Sequence, residues 1–574
     1  MAGTGPPWIE QNECVYRQRW TAIECYLEAT RSDMRRSPKL RCPQGSPQRS
    51  PQRKAGTPMT TPQIGLITLS LFSILTGVAT GADATRITVT VDRGRDLGQS
   101  FGSLFELTSE NTDLVIGAGF QNAYNTEFRA DRHAVQFFIR PTRGARAMTT
   151  EELPRPNNEL TGSYLFSRDG VVYSAYGGMK TWDTASRTWR RSDVRHETMR
   201  VGNSTLTFAG SSVICDGRTI LEPPEAGSYQ RFFYAHGHLC FYHVNRRDKP
   251  YRLYLNDEDG FSRLYACPWT PEQPRVELAS AVTLRLPVVG ETTFAWGQLG
   301  PQIVTGSNIG GFYVFQDGSW KMNLEPVITR SYQLYSSLSL GGKLLMGQYP
   351  TGRVFAYNGI TIRDQNGWPP VLPGVSGSAR EAQTTTVYGG DLFVGVWPWA
   401  EMWRYNPDSH RWSFMQRMFD HPALTDKITH PYEVENKQHP VLNLWGQRIT
   451  SLVTNGPDLF VSTSSKGVDK WKPEAFRFLA PDKWKSYGKI YRVTIPGHLS
   501  APTRWTDGPT TLEFIIGVNE ITIVQDGTRL ATTPLDGPLA KHLEQMKRFK
   551  TVQWGSGIYG RFEGASLKGT IAGL

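Results

Sequence analysis

Short runs of apolar residues, some alternating with polar ones and some continuous, recur along most of the chain, and glycine-bearing turns separate them. Gly341-Gly342-Lys343-Leu344-Leu345-Met346-Gly347 returns further along as Gly389-Gly390-Asp391-Leu392-Phe393-Val394-Gly395. The register then holds without a gap: Pro350 matches Pro398, Phe355 matches Trp403, and Tyr357-Asn358 match Tyr405-Asn406. Related stretches stand at Gly456–Ser462, Gly300–Gly306, Asp113–Gly117, Asp169–Ala175 and His236–Phe241, with a weaker one at Ser204–Cys215. Each predicts a turn followed by a strand, and then a second short strand ending in an aromatic, such as Val354-Phe355 or Trp403-Arg404-Tyr405.

Long helical periodicity is nearly absent. A repeat built of hairpins cannot bury its apolar faces one unit at a time, whereas radial stacking can. The expected fold is therefore all-β, a propeller of seven or eight blades over residues 83–499. Insertions near 420–447 and 467–487 break the period, and loops on one face of such a fold commonly carry binding.

From about Ser500 the pattern changes. Thr511–Ile516, Glu520–Val524 and Arg529–Thr533 predict short strands, and Pro538–Lys550 predicts a short helix with Leu539, Leu543 and Met546 on one face. Residues 500–574 are expected to form a C-terminal β-module.

Two resemblances follow from local motifs. Gly177-Gly178 precedes Trp182–Trp189, and Gly389-Gly390 precedes Tyr405–Trp412. In both, an aromatic and a Trp lie seven apart across an Asx-containing turn. This resembles the Kelch repeat, which implies blade packing rather than activity. The segment Trp554–Gly564, with Gly560-Arg561-Phe562-Glu563-Gly564, resembles the closing strands of laminin-G-like, concanavalin-A-type sandwiches. The tail alone is too short for a whole sandwich of that type, so a reduced module is expected.

The 574-residue chain carries a formal net charge of +11, and residues 1–58 hold ten Lys or Arg against five Asp or Glu. That stretch is rich in Arg, Pro, Ser and Gln and is expected to be a disordered extension upstream of the true start. Met59 is followed by an uncharged apolar run from Ile64 to Val78 and then by Ala79-Thr80-Gly81-Ala82. Residues 59–82 read as a signal peptide, which implies a secreted or periplasmic protein. The alternative is a retained membrane anchor over residues 64–82. The rest of the chain is only mildly basic, and its Lys and Arg do not form a run interleaved with aromatics, so no nucleic-acid partner is expected. Cys215, Cys240 and Cys267 lack CxxC spacing and allow at most one disulfide.

Candidate chemistry is sparse. His236 and His238 share a strand face near Cys240 and His243, but no carboxylate at ligand spacing completes a metal set. Asn256-Asp257-Glu258-Asp259-Gly260 offers oxygen ligands, yet it departs from the calcium-loop pattern and reads as an Asx-rich turn. No metal and no cofactor are called for. In Val396-Trp397-Pro398-Trp399-Ala400-Glu401-Met402-Trp403 the indoles offer flat faces for sugar rings. Trp403 is matched by Phe355 and Trp397-Pro398 by Tyr349-Pro350, so Trp399 alone lacks a counterpart in the repeat. Trp397, Trp399, His236 and His238 are the candidate ligand-binding residues. The expected function is an exported binding or scaffold protein recognising a glycan or a protein through one propeller face. The alternative is a polysaccharide-active glycosidase or lyase with an axial active site.

Overall fold

The computed structural model describes residues 84–91, 103–109, 113–120, 123–125, 131–144, 146–246, 252–329, 333–437, 443–474, 477–544, 549–554 and 559–563. The extension at 1–58 and the signal segment at 59–82 lie outside them. The protein is all-β, and its antiparallel sheets form a propeller-like array.

Among the described residues, seven sheets follow one another along the array. They begin with the strands Leu165–Arg168, Glu197–Val201, Ser228–Ala235, Thr293–Leu299, Gln333–Leu340, Glu381–Tyr388 and Gln447–Asn455, and are numbered I to VII here. Sheets I to VI each take four strands in chain order. Sheet VII takes three and is completed by Thr149–Leu153, which comes from before sheet I and pairs with Ile490–Thr494. Arg492 and Lys489 reach Glu151 and Glu152 across that pairing at 2.6 and 2.7 Å, and Leu153 is buried in the core beneath.

The glycine pairs of the repeat are the turns between first and second strands. Gly341 and Gly342 have φ +58° and +71°, and Gly389 and Gly390 have +59° and +80°. Two successive positive φ values make a type I′ turn, which suits the right-handed twist of a hairpin. Asp169-Gly170 and His236-Gly237 occupy the same place with the same geometry. All these turns lie at one end of the array.

The first strands carry a second regularity. In sheets III to VII each has a bulge near its start; in sheets V, VI and VII it falls at Tyr335, Gln383 and Thr450. The residue after it holds the neighbouring sheet: Ser336 Oγ donates to the Ala382 carbonyl at 3.5 Å, Thr384 Oγ1 donates to the Ile449 carbonyl at 3.2 Å, and Ser451 Oγ accepts from the Leu165 amide at 2.9 Å. The sheets approach closely at these points because the last residue of the repeat motif is small. A Cβ on Gly395 would lie 2.8 Å from Ile449 Cβ, and one on Gly347 would lie 2.6 Å from Ser336 Oγ.

Asp113–Gly117, expected as another copy of the motif, belongs elsewhere. It enters the strand Leu114–Phe120, which pairs with Phe105–Ser109 and Ala134–Pro141 in a five-stranded sheet completed by His498–Pro502 and Phe549–Trp554. A second five-stranded sheet combines Thr85–Val91 with Thr510–Ile516, Glu520–Gln525, Thr528–Pro534 and Tyr559–Glu563. The two enclose one core containing Ile87, Val89, Phe105, Phe137, Leu499, Phe514 and Ile523, with Phe105 and Phe137 each 5.2 Å from the Phe514 ring. The C-terminal strands therefore do not form a reduced module: residues 85–141 supply the strands that the tail lacks. The expected helix is present at Gly537–Glu544, with Leu539 buried. The weak copy at Ser204–Cys215 stands in sheet II.

The sandwich reaches into the array. Ala123–Asn125 pairs with the free inner edge of the Gln333–Leu340 strand, and Tyr124 packs against Phe233. Arg132 follows, donating to the Tyr234 carbonyl and, at 2.9 Å, to Gln298.

Three substitutions test this framework. Gly395→Ala is expected to lower the free energy of unfolding by about 1–3 kcal/mol through overpacking. Gly508→Ala, whose added carbon meets nothing within 4 Å, is expected to change it little. Leu153→Ala is expected to cost roughly 2–5 kcal/mol. Urea unfolding of the three variants measures all of these.

Candidate functional site

The array has two ends, and at the one that bears the type I′ turns the sandwich packs against the turns of the first, sixth and seventh sheets. Gly390 lies against Phe138 and Arg140, and Gly170 against Pro502. The Gly389 amide donates to His498 Nδ1 at 3.2 Å, and the Ser500 amide donates to the Gly456 carbonyl at 2.7 Å. Asp131 accepts from the His133 and Asp169 amides at 3.0 and 2.8 Å. Asp391, the residue after the turn glycines, is buried in an ion pair with Arg404, and Asn406 donates to the Pro141 carbonyl at 2.9 Å.

The opposite end carries the long connections. The segment after Arg417 leads to the seventh sheet at Gln447, and residues 466–489 join its second and third strands.

The four candidate residues fall at the two ends and do not converge. His236 and His238 flank Gly237 in the type I′ turn of the third sheet. Nε2 of His236 lies 2.8 Å from the Gly300 carbonyl, and Nδ1 of His238 lies 2.7 Å from the His236 carbonyl. His236 has φ +49°, so its place is that of a turn residue. Trp397 and Trp399 lie at the other end. Trp397 sits among Tyr349, His430 and the Lys466 cation, 6.0, 4.3 and 4.8 Å from its ring. Trp399 is 0% exposed, with the Arg417 guanidinium over its ring at 5.0 Å. The sugar-stacking role expected for these two indoles needs an accessible face, and in this fold those faces are packed.

The buried carboxylates of the best-formed repeat are each matched by arginine. Glu401 accepts from Arg380 at 3.1 Å and from the Trp403 indole at 2.7 Å; Glu381 pairs with Arg448 at 3.3 Å; Asp391 pairs with Arg404. Removing one partner of such a pair leaves an uncompensated buried charge, which ties these groups to the frame. Asp257, in the candidate cation turn, is shared by Arg263 and Arg285 at 3.3 and 3.2 Å. Among the described residues, no group of three or more His, Cys, Asp or Glu side chains is placed to hold a metal. Cys215, Cys240 and Cys267 are buried free thiols.

One surface was missed from the sequence. Lys470-Trp471-Lys472 and Lys483-Trp484-Lys485 repeat a basic–aromatic triplet within one loop, so the chain does contain a basic stretch interleaved with aromatics. Trp471 and Trp484 stack at 5.2 Å with an interplanar angle of 8°, and Arg155 lies 5.1 Å from the Trp484 ring. Trp445 meets Trp471 edge-on beneath them. The doubled triplet was the available signal. Its meaning depends on the loop folding back so that the two indoles meet.

No protein family model matches the chain, and neither does any curated protein. Among solved structures, it is similar to the computationally designed Ika8 protein, at 12% identity over 56% of this chain and 98% of that one, with a TM-score of 0.31. It is also similar to the extracellular domain of BT4673 from B. thetaiotaomicron, at 10% identity over 67% of this chain and 47% of that one, TM-score 0.35. BamB from Moraxella catarrhalis matches at 10% identity over 71% and 98%, TM-score 0.28. At these scores the likenesses bear on no activity, substrate or partner.

Glu291 and His498 are two of the buried groups that contribute to the pH response. Burial pushes the Glu291 carboxyl up to about 7 from an ordinary 4.5, against the hydrogen bond it accepts from Tyr313 at 2.5 Å. The folded protein holds this proton more tightly, so the contribution is complete below pH 4.5 and lost as pH rises through 7. Burial pushes His498 down to about 3, and its Nδ1 already accepts the Gly389 amide, so protonation opposes folding as pH falls from 6.5 towards 3. Glu291→Gln is expected to remove a fall in stability of roughly 3 kcal/mol at most between pH 4.5 and 7. His498→Gln is expected to flatten the acid limb. Denaturant titrations from pH 4 to pH 8 report both slopes.

Proposed function

We propose that the seven sheets are the blades of a closed seven-bladed propeller, fastened by the Thr149–Leu153 strand, and that residues 85–141 and 498–563 form a sandwich mounted on one face. On this reading the protein is an exported binding or scaffold protein that recognises a glycan or a protein partner through the other face. The observation that carries the reading is the division of the two ends. Sandwich residues Phe138, Arg140, His498 and Pro502 meet the turn end, while the connections that leave Arg417 and Ser465 start from the opposite end. Export rests on the apolar run Ile64–Val78 followed by small residues.

The arginine-paired state of Glu381, Glu401 and Asp391 favours binding over glycoside hydrolysis, which needs one carboxyl to give a proton and another to act as base or nucleophile. The strand Ala123–Asn125 on the inner edge of the fifth sheet fills space that an axial active site would use.

A glycan array probed with the full-length chain, run beside a hydrolysis screen on the same glycans, tests the reading. Saturable binding without release of reducing ends is expected; turnover of any glycan in the screen would favour the enzyme. Sequencing the N-terminus of the protein recovered from outside the cytoplasm is expected to find residues 64–78 removed.

A further inference from the structure

We propose that the tandem Lys-Trp-Lys surface, residues 466–474 and 477–489, is a docking surface for an anionic polysaccharide, a carboxylated or sulfated chain. The proposal rests on the open-face reading above and gives that face a ligand chemistry.

The loop holds seven Lys or Arg against three Asp or Glu, an excess of four charges in a short segment. The whole chain needs 574 residues to reach +11, so positive charge is concentrated here. The stacked Trp471–Trp484 pair brings the two triplets together, and lysines 470, 472, 483 and 485 then flank one rigid base formed by the indoles, Arg155 and Trp445.

Three of the lysines have acidic neighbours: Glu159 at 3.7 Å from Lys470, Asp469 at 2.9 Å from Lys472 and Asp420 at 3.0 Å from Lys483. The Lys470 and Lys472 pairs are more than half exposed on both sides, and the Asp420 side chain is 71% exposed. Such pairs stabilise little and exchange readily for a ligand anion. Lysine ammoniums on flexible stems are point charges that suit carboxylates or sulfates repeated along a polymer.

Nucleic acid fits less well. Binding of single strands uses aromatic faces presented one by one for bases to stack on. Here one face of each indole is spent on the other, and Arg155 lies against Trp484.

The test uses the full-length chain and its quadruple variant Lys470→Ser, Lys472→Ser, Lys483→Ser, Lys485→Ser. A control variant, Lys321→Ser with Lys343→Ser, removes exposed charge elsewhere. Immobilised polygalacturonate, a neutral glucan, single- and double-stranded DNA and phosphatidylglycerol vesicles are the probes, and thermal melting of each variant checks the fold. Polygalacturonate is expected to bind the parent protein and the control alike, to weaken as salt rises, and to lose roughly 10- to 100-fold in affinity in the quadruple variant at an unchanged melting point. Three results would overturn the proposal: no binding of polygalacturonate, equal binding by the quadruple variant, or tighter binding of DNA or vesicles. A neutral glycan or a protein that binds parent and quadruple variant equally would leave the open-face reading standing and remove this one alone.

Discussion

The array depends on how closely the first strand of one sheet can approach the next. Hairpin sheets of this kind have apolar faces that only a neighbouring sheet can cover. At sheets V and VI the distance is set by two residues acting together, and at sheet VII Ser462 stands where they have the glycine. A hydroxyl just after the bulge reaches the backbone of the next sheet, from Ser336 to Ala382, Thr384 to Ile449 and Ser451 to Leu165. A glycine at the end of the repeat motif, Gly347 or Gly395, leaves room for that contact. The bulge leaves Tyr335, Gln383 or Thr450 out of the ladder, and the hydroxyl residue after it resumes the pairing opposite Gly347, Gly395 or Ser462.

With that spacing in place, the chain's path gains a physical logic. It begins in the sandwich and sends Ala123–Asn125 along the inner edge of the fifth sheet. It then lays down Thr149–Leu153, runs through the sheets, and returns to pair with what it left behind. The sandwich is thus closed by segments separated by most of the chain, and its core forms only when both ends are present. The junction relies on polar contacts, among them Gly389 to His498 and Asn406 to the Pro141 carbonyl. Such contacts are directional, and this one ties the junction to the protonation state of His498.

This junction also divides the two ends of the array. The repeat places its turns at one end, and the sandwich occupies that end. Departures from the repeat gather at the other. The buried indoles of Trp397 and Trp399 serve the packing there, while the partly buried indoles of Trp471 and Trp484 lie in a loop outside the repeat frame.

Much of the array was legible in the residues. Glycine pairs mark type I′ turns because two successive positive φ values exclude most side chains, and short β-branched and aromatic runs mark strands, so the all-β class and most of the hairpins follow from local chemistry. The strands at 510–534 and the helix at Gly537–Glu544 also followed from local pattern. Pairing between distant segments was not legible. Asp113–Gly117 looks like a repeat copy because a buried sandwich strand and a buried blade strand demand the same apolar run. Nothing local in Thr85–Val91 says that its partners, Thr510–Ile516 and Tyr559–Glu563, lie near the other end of the chain. The candidate site divided in the same way. Sequence alone determined which residues could stack or carry charge. Only the tertiary structure decided that Trp399 is packed under Arg417, that His236 turns a hairpin against the Gly300 carbonyl, and that two Lys-Trp-Lys triplets meet, because burial and juxtaposition are properties of the neighbours that a fold brings to a residue.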